Sequence, residues 1–182
     1  MKKIIRNKNK GILFTVFGVS GSGKTAIAKK IKKRISYLYG PTIEVSGDDM
    51  RKTFKLNKFS QKERKKNLPL YNRFKKLITD KKINLIFSVS GHLKRDWQWT
   101  RKNIDNHVEI YIKADIHKII KLKKKKIYLK HKKNIVGLDI KAEFPQNPDI
   151  IINNNFKKNI QLLANELIAK LRKIWVYGVV LS

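Results

Sequence analysis

The sequence predicts an α/β fold with three layers, α/β/α, in which helices cover both faces of a central five-stranded, mostly parallel sheet. Short apolar runs bounded by turn residues alternate with amphipathic stretches, and this alternation is typical of βαβ units. Residues 11–17 form a nearly continuous apolar run, as expected of a strand buried on both faces. No linker rich in Gly, Ser or Pro divides the 182 residues, so we predict one domain over 1–182.

The individual elements follow from hydrophobic spacing along the chain. Residues 24–37 are predicted to be the first helix, because isoleucines recur in them every three or four positions. A long helix is predicted over residues 61–81, which Pro69 should start or kink partway. The remaining candidates are strands at 11–17, 42–45, 84–90, 107–112 and 149–152, helices at 115–125 and 156–173, and an apolar end at 174–182 that forms an edge strand or a tail.

The composition narrows the kinds of partner and site. The chain has 44 Lys and Arg against 13 Asp and Glu, a net charge of +31, and such a field attracts any polyanion. The basic residues are spread out with few arginines and aromatic rings among them, whereas specific nucleic-acid binding depends on arginine forks and stacking rings. Nucleic acid is therefore not expected to be the main partner. The absence of Cys excludes disulfides and thiolate sites.

The apolar runs are too short to cross a membrane. The longest, residues 12–17 and 174–181, fall well below the roughly 20 residues of a spanning helix. The basic start, residues 1–6, is not followed by the apolar core of a secretory signal. The four His lack ligand spacing, so we assign no protein-held metal site. We expect a soluble cytoplasmic protein without membrane insertion, and a homodimer stays open.

The most specific motif is the phosphate loop at residues 18–25. Its sequence, GVSGSGKT, fits G-x-x-x-x-G-K-S/T in full and lies between a predicted buried strand and an amphipathic helix. Glycines let backbone N–H groups surround phosphate oxygens, and the helix N-terminus adds positive partial charge. Lys24 supplies a charge to the β- and γ-phosphates, and Thr25 supplies a hydroxyl to Mg²⁺. We predict that ATP and Mg²⁺ bind at Gly18, Val19, Ser20, Gly21, Ser22, Gly23, Lys24 and Thr25.

A second candidate segment, SGDDMR at residues 46–51, follows the second predicted strand. Ligands of parallel α/β sheets bind beyond the carboxyl ends of the strands, so Asp48 is expected beside the phosphate loop. There it could accept a hydroxyl proton or hold Mg²⁺ through water, and Arg51 could bind an acceptor phosphate. Alternatively, Asp48 or Asp49 caps the next helix, and both functions can coexist.

With three further segments, these motifs resemble the adenylylsulfate (APS) kinase family. The segments are FSQKERKKN at 59–67, KKIYLK at 125–130, and GLDIKAEFP at 137–145 followed by NPD at 147–149. The resemblance covers roughly residues 10–154 and implies a P-loop kinase fold with a basic lid at about 123–145. It also implies transfer of the ATP γ-phosphate to the 3′-hydroxyl of adenosine 5′-phosphosulfate (APS), giving PAPS for sulfate assimilation.

The resemblance further implies roles for single residues. Asp48 and Lys24 would be the catalytic residues, with Asp48 as the base or an acid of the Mg²⁺ network. The acceptor would bind to Arg51, Arg64 and Asn67 at its phosphosulfate and sugar end, to Phe59 at its base, and to Asp48, Lys130 and Ile135. The alternative for Phe59 is a position in the core.

The basic cluster at residues 117–133 contains nine lysines and no acid. Two interpretations stay open: a solvated helix end, or a lid that closes over phosphates and excludes water. We expect Asp139 and Glu143 to anchor the return of this lid. Arg101 is either a further phosphate clamp or an arginine on a surface helix.

Several positions depart from the family pattern. Ser46 replaces the first acid of D-G-D, Pro69 and Leu70 replace arginines, residues 91–94 replace S-P-Y-R, and Ile135 replaces the second ring of the base sandwich. Residues 99–101 and 134–139 resemble a divergent branch of kinases from surface-polysaccharide gene clusters, which includes cytidine diphosphoramidate kinase. The alternatives are therefore a kinase for another nucleotide acceptor, and a non-catalytic basic protein that binds nucleotide or RNA.

Overall fold

A computed structural model describes residues 7–91, 93–122 and 133–174 and confirms the three-layer α/β/α fold. Five strands form one sheet in the order β2-β3-β1-β4-β5, and every neighbouring pair is parallel. The strands are β1 Leu13–Phe17, β2 Thr42–Ser46, β3 Asn84–Val89, β4 His107–Lys113 and β5 Ile150–Asn153. Because all five strands run in the same direction, their carboxyl ends meet at one edge of the sheet.

Seven helices lie within the described ranges. They are α1 Lys24–Tyr39, α2 Gly47–Thr53, α3 Gln61–Lys66, α4 Leu68–Asp80, α5 Lys94–Asn103, α6 Ile116–Lys121 and α7 Ile160–Ile174. The long helix predicted at 61–81 is divided in two, since Asn67 ends α3 and Pro69 lies in the first turn of α4, where its missing N–H costs nothing.

One helix was not predicted, and the limits of three others differ from the predictions, with α1 ending at Tyr39 rather than at residue 37. Helix α5 was not predicted because its segment, KRDWQWTRKN, is mostly charged and buries only Thr100. Helix α6 ends at Lys121, before the predicted limit of 125. Helix α7 begins at Ile160 rather than 156, since Phe156 has a φ of 66°, which a right-handed helix does not accommodate.

Alternate residues of the strands face two different helical layers. Phe14, Val16 and Ile110 belong to a core cluster with residues of α1 and α7. Leu13 and Phe87 belong to a second cluster on the opposite face, with residues of α2, α4 and α5. Both faces of the sheet are therefore covered, and its carboxyl edge is left for ligands.

Several predicted features lie outside the described residues: the basic start, residues 123–132 of the lid with Lys130, and the apolar end after Ile174. In the part of the chain that the structure describes, no helix combines the length and the apolar character needed to cross a membrane.

Candidate functional site

The phosphate loop connects β1 to α1, and its shape depends on glycine. Gly18 and Gly23 have φ values of 148° and 92°, a region that L side chains rarely adopt. A Cβ on Gly23 would lie 3.0 Å from Asn154 Nδ2, and Asn154 donates a hydrogen bond to the carbonyl of Ser22 at 2.9 Å. The end of β5 therefore holds the loop against the sheet, with Ser22 fully buried beneath it.

The predicted phosphate ligands converge at the start of α1. Gly23 is the N-cap of this helix and no side chain caps it, which leaves the first N–H groups available for phosphate oxygens. Lys24 Nζ lies 3.1 Å from the carbonyl of Val19. The Thr25 hydroxyl lies 3.3 Å from Ser88 Oγ at the end of β3.

A cavity of about 540 Å³ extends from this loop across the carboxyl edge of the sheet, within the size range of ligand pockets. It brings together most of the site residues predicted from the sequence. Those in its wall are Ser20, Gly21, Gly23, Lys24, Thr25, Asp48, Arg51, Phe59, Arg64, Asn67 and Ile135. Gly18, Val19 and Ser22 belong to the loop but not to the wall.

Ser46, where the family pattern predicts an acid, is the N-cap of α2. Its hydroxyl donates to Asp49 Oδ2 at 2.6 Å, and the Asp49 amide donates back to Ser46 Oγ at 3.1 Å. The Ser46 hydroxyl and amide lower the pKa of Asp49. Ser46 rather than an aspartate is therefore the N-cap, and Asp49 completes a capping box by accepting a hydrogen bond from the Ser46 amide. Asp48 lies in the first turn of α2 beside the cavity.

Asp48 forms an ion pair with Arg51, one turn later in α2. The Asp48 side chain is 74% exposed, and exposed ion pairs contribute little because water screens them. An anion that enters the cavity can therefore compete for Arg51 at low cost. Asp48 would then be left to interact with another group of the same ligand.

Phe59 presents an open ring to the cavity between two arginines. It is 45% exposed, which does not fit a core position. Arg51 Cζ and Arg64 Cζ lie 5.4 and 5.9 Å from the ring centroid, within the range of cation–π contacts. Arg64 Nε also donates to the carbonyl of Phe59 at 2.8 Å. The ring is thus fixed by its neighbours while one part stays accessible.

The two arginines make this part of the cavity attractive to anions. Burial lowers the pKa of Arg64, and the nearby charge of Arg51 acts in the same direction. Guanidinium groups nevertheless remain charged at neutral pH. Two cations that face one ring are stabilised when an anion binds between them.

Sequence analysis missed Tyr71, Ser88 and Asn134, which also line the cavity. Burial raises the pKa of the Tyr71 hydroxyl, and a hydrogen bond with Arg51 opposes this shift. Asn134 accepts a hydrogen bond from Arg64 at 3.4 Å through its carbonyl. No sequence motif marks Tyr71 and Ser88, since only the packing of α4 and β3 brings them to the site. Asn134 begins the segment 134–139 noted in the sequence, which gave this residue no role in the site.

The segment 133–148 contributes to the cavity wall and packs against the phosphate loop at Val19. Ile135 is 5% exposed, and its amide donates to Asp139 Oδ2 at 2.9 Å. Glu143 accepts a hydrogen bond from the Lys94 amide at 3.0 Å, and its carbonyl accepts one from Trp97 Nε1 at 2.8 Å. Asp139 and Glu143 therefore hold this segment in place, in agreement with their expected anchoring role.

Arg101 does not line the cavity. Its Nε and one terminal nitrogen donate to the two Glu109 carboxylate oxygens at 2.8 and 2.6 Å, and these bonds raise the pKa of Arg101. The guanidinium also lies 4.7 Å from the Trp97 ring centroid. The prediction of a phosphate clamp is wrong, because Arg101 joins α5 to β4.

The oxygen donors at the loop fit a Mg²⁺ ion held largely by a nucleotide. Within the described residues, no group of three or more His, Cys, Asp or Glu could hold a metal. Nucleotide-bound Mg²⁺ needs few protein ligands, since water and phosphate oxygens complete its shell. The hydroxyl of Thr25, together with the cavity wall at Asp48, supplies the oxygen chemistry that such an ion prefers.

Comparisons with known proteins agree with this geometry. The chain is 28% identical over 168 residues to the cytidine diphosphoramidate kinase of Campylobacter jejuni, which covers 90% of this chain and 98% of that protein. It is 31% identical over 150 residues to a probable adenylyl-sulfate kinase of Pyrococcus abyssi, covering 78% and 86%.

Solved structures and a family model support the same assignment. The APS kinase CysC of Mycobacterium tuberculosis, solved with AMPPNP and APS, has a TM-score of 0.77 at 21% identity and covers 90% of this chain and 98% of that one, which shows the common fold. The model of the family described as adenylylsulphate kinase matches residues 10–153. Since this match spans most of the 182 residues, the chain belongs to the adenylylsulphate kinase family and is a P-loop kinase.

Proposed function

We propose that this kinase transfers the γ-phosphate of MgATP to the 3′-hydroxyl of a nucleotide with a charged 5′ end, with APS as the first candidate acceptor. The supporting observation is the continuous cavity that joins the phosphate loop to Asp48, Arg51 and Phe59. Phosphoryl transfer requires mainly alignment and charge neutralisation, and this cavity offers groups for both.

The donor end binds the triphosphate through backbone amides and Lys24. Thr25 would hold Mg²⁺, which when bound neutralises charge on the β- and γ-phosphates. Lys24 begins α1 next to these amides, so its charge and the helix N-terminus act on the same phosphate oxygens. The lid lysines, including Lys130, would close over the phosphates.

The acceptor end binds the second nucleotide by its two extremities. The base stacks on Phe59, and the charged 5′ end lies near Arg51, Arg64 and Asn67. When that anion takes Arg51, Asp48 loses its present partner and can accept the proton of the 3′-hydroxyl as the phosphate bond forms. In this way acceptor binding would release the base for catalysis.

Cytidine diphosphoramidate is the second candidate acceptor. At the position where the family pattern has a second ring, the cavity wall carries Ile135, so a purine would have one stacking face instead of two. The match to the Campylobacter jejuni kinase also covers nearly its whole length. With APS the enzyme would serve sulfate assimilation in the cytoplasm, and with the cytidine nucleotide it would serve surface-polysaccharide synthesis.

A panel of acceptors tests the proposal. The purified protein is incubated with labelled ATP and Mg²⁺ together with APS, cytidine diphosphoramidate, AMP or CDP, and products are resolved by chromatography. We expect a 3′-phosphorylated product from APS or the cytidine nucleotide and none from the Lys24→Ala variant. No transfer to any acceptor, combined with steeply salt-dependent RNA binding, would contradict the proposal and favour a non-catalytic binder.

A further inference from the structure

Glu44 is an acid outside every motif identified above, yet its hydrogen bonds reach the phosphate loop. It lies on β2 two residues before Ser46, so both side chains project from the same face of the sheet. Glu44 Oε1 lies 3.5 Å from Ser88 Oγ, and Ser88 Oγ lies 3.3 Å from Thr25 Oγ1. Side chains of β2, β3 and α1 therefore form a series of hydrogen bonds that ends at the phosphate loop.

The chemistry of these groups favours one direction of hydrogen bonding. A carboxylate only accepts hydrogen bonds, and a serine hydroxyl has a single proton. Ser88 therefore donates to Glu44 and offers a lone pair to the Thr25 hydroxyl. With its proton held by Ser88, the Thr25 oxygen turns its own lone pairs towards the cavity. Chains of this kind strengthen each member, because every bond polarises the next.

The surroundings of Glu44 leave it available for this purpose. The charged groups that act on it are Lys29 and Lys32 of α1 and Asp49 of α2. Burial raises the pKa of Glu44, the charge of Lys29 opposes this shift, and Asp49 adds to it. Asp49 itself is hydrogen-bonded to Ser46. Within the described residues, Glu44 is thus the acid that connects β2 to Ser88.

We propose that Glu44, acting through Ser88, is a positioning residue that orients the Thr25 hydroxyl for the Mg²⁺ of bound MgATP. The inference rests on the proposed function only in placing MgATP at the loop. It does not depend on which nucleotide is the acceptor.

Calorimetric binding of ATP, with Mg²⁺ and with EDTA and without any acceptor, tests this role. Substitution of a residue that hydrogen-bonds to a metal ligand typically costs 10- to 100-fold in metal affinity. We expect Glu44→Ala and Ser88→Ala each to weaken binding in Mg²⁺ by about tenfold, with binding in EDTA unchanged. Glu44→Gln, which keeps an accepting oxygen, should lose less. Glu166→Gln, an acid of α7 remote from the cavity, is the matched control and should bind as wild type in both buffers.

The double variant sharpens the test. If Glu44 acts only through Ser88, adding Glu44→Ala to Ser88→Ala should cause no further loss of Mg²⁺-dependent binding, because both changes break the same chain. Equal weakening in Mg²⁺ and EDTA, additive losses, or no loss would overturn the inference, and so would wild-type ATP binding that Mg²⁺ does not strengthen. Thermal melting checks folding. If no acceptor is phosphorylated but ATP binding responds to the variants as expected, the proposed function is refuted and the inference about Glu44 still holds.

Discussion

The two ends of the cavity are built in different ways. At the donor end, eight consecutive residues supply backbone amides, a lysine and a hydroxyl, and α1 begins within them. At the acceptor end, side chains come from α2, α3, α4 and residues 133–148, with long arginines around one ring. Because the donor site is built from consecutive residues, substitutions elsewhere in the sequence leave it unchanged. The acceptor site changes whenever a substitution falls in any one of the segments that form it.

This difference explains how relatives with one fold differ in acceptor. Ile135 belongs to the cavity wall and not to the eight residues of the loop, although it shares one apolar cluster with Val19 of the loop. The loop glycines cannot vary in the same way, because a Cβ on Gly18 would lie 2.5 Å from a backbone oxygen of β4. Donor use is therefore expected to be constant while acceptor identity diverges.

Asp48 lines the cavity together with the loop residues and Phe59, and Asp48→Asn should have the largest effect. We expect kcat to fall about 10²- to 10⁴-fold, the usual contribution of a general base, while ATP affinity and thermal stability are retained. The adjacent variant Asp49→Asn is the matched control. It weakens the helix cap and should lower stability while keeping most of the turnover. These outcomes are checked by steady-state kinetics and thermal melting.

Two other outcomes would contradict the role assigned to Asp48. Full turnover in Asp48→Asn would show that the aspartate only pairs with Arg51. A parallel loss of ATP affinity would show that the acid belongs to the donor end. Either result would mean that Asp48 lines the cavity without acting as the general base of the reaction.

Phe59→Ala should affect the acceptor end alone. Stacking of a base on an aromatic ring contributes about 1–3 kcal/mol, so KM for the acceptor should rise roughly 5- to 150-fold, while KM for ATP stays constant. Tyr37→Ala removes a ring that is 80% exposed on α1 and serves as the control. An equal rise in both KM values would mean that Phe59 supports the cavity rather than contacts a base.

The two ends of the cavity also differ in how far the sequence predicts them. The phosphate loop was predictable residue by residue, because its function depends on neighbours in sequence, and the five strands followed from apolar runs. Helix α5 could not be predicted from the sequence, since its polar segment is ordered by contacts with other elements, such as Trp97 with Glu143 and Arg101 with Glu109. Tyr71 likewise reaches the site only through the packing of α4.

The smallest expected effect is that of a substitution at Ser46, which caps the N-terminus of α2 at the position where the family pattern has an acid. Ser46→Ala removes the cap and should lower the free energy of unfolding by about 1 kcal/mol. The fold lowers the pKa of Asp49, so this carboxylate stabilises the protein above its ordinary pKa. That stabilisation disappears as the pH falls through the lowered value. Urea unfolding should therefore show a full difference between wild type and variant at neutral pH that shrinks in acid. A difference that is constant or grows in acid would mean that Asp49 titrates independently of Ser46.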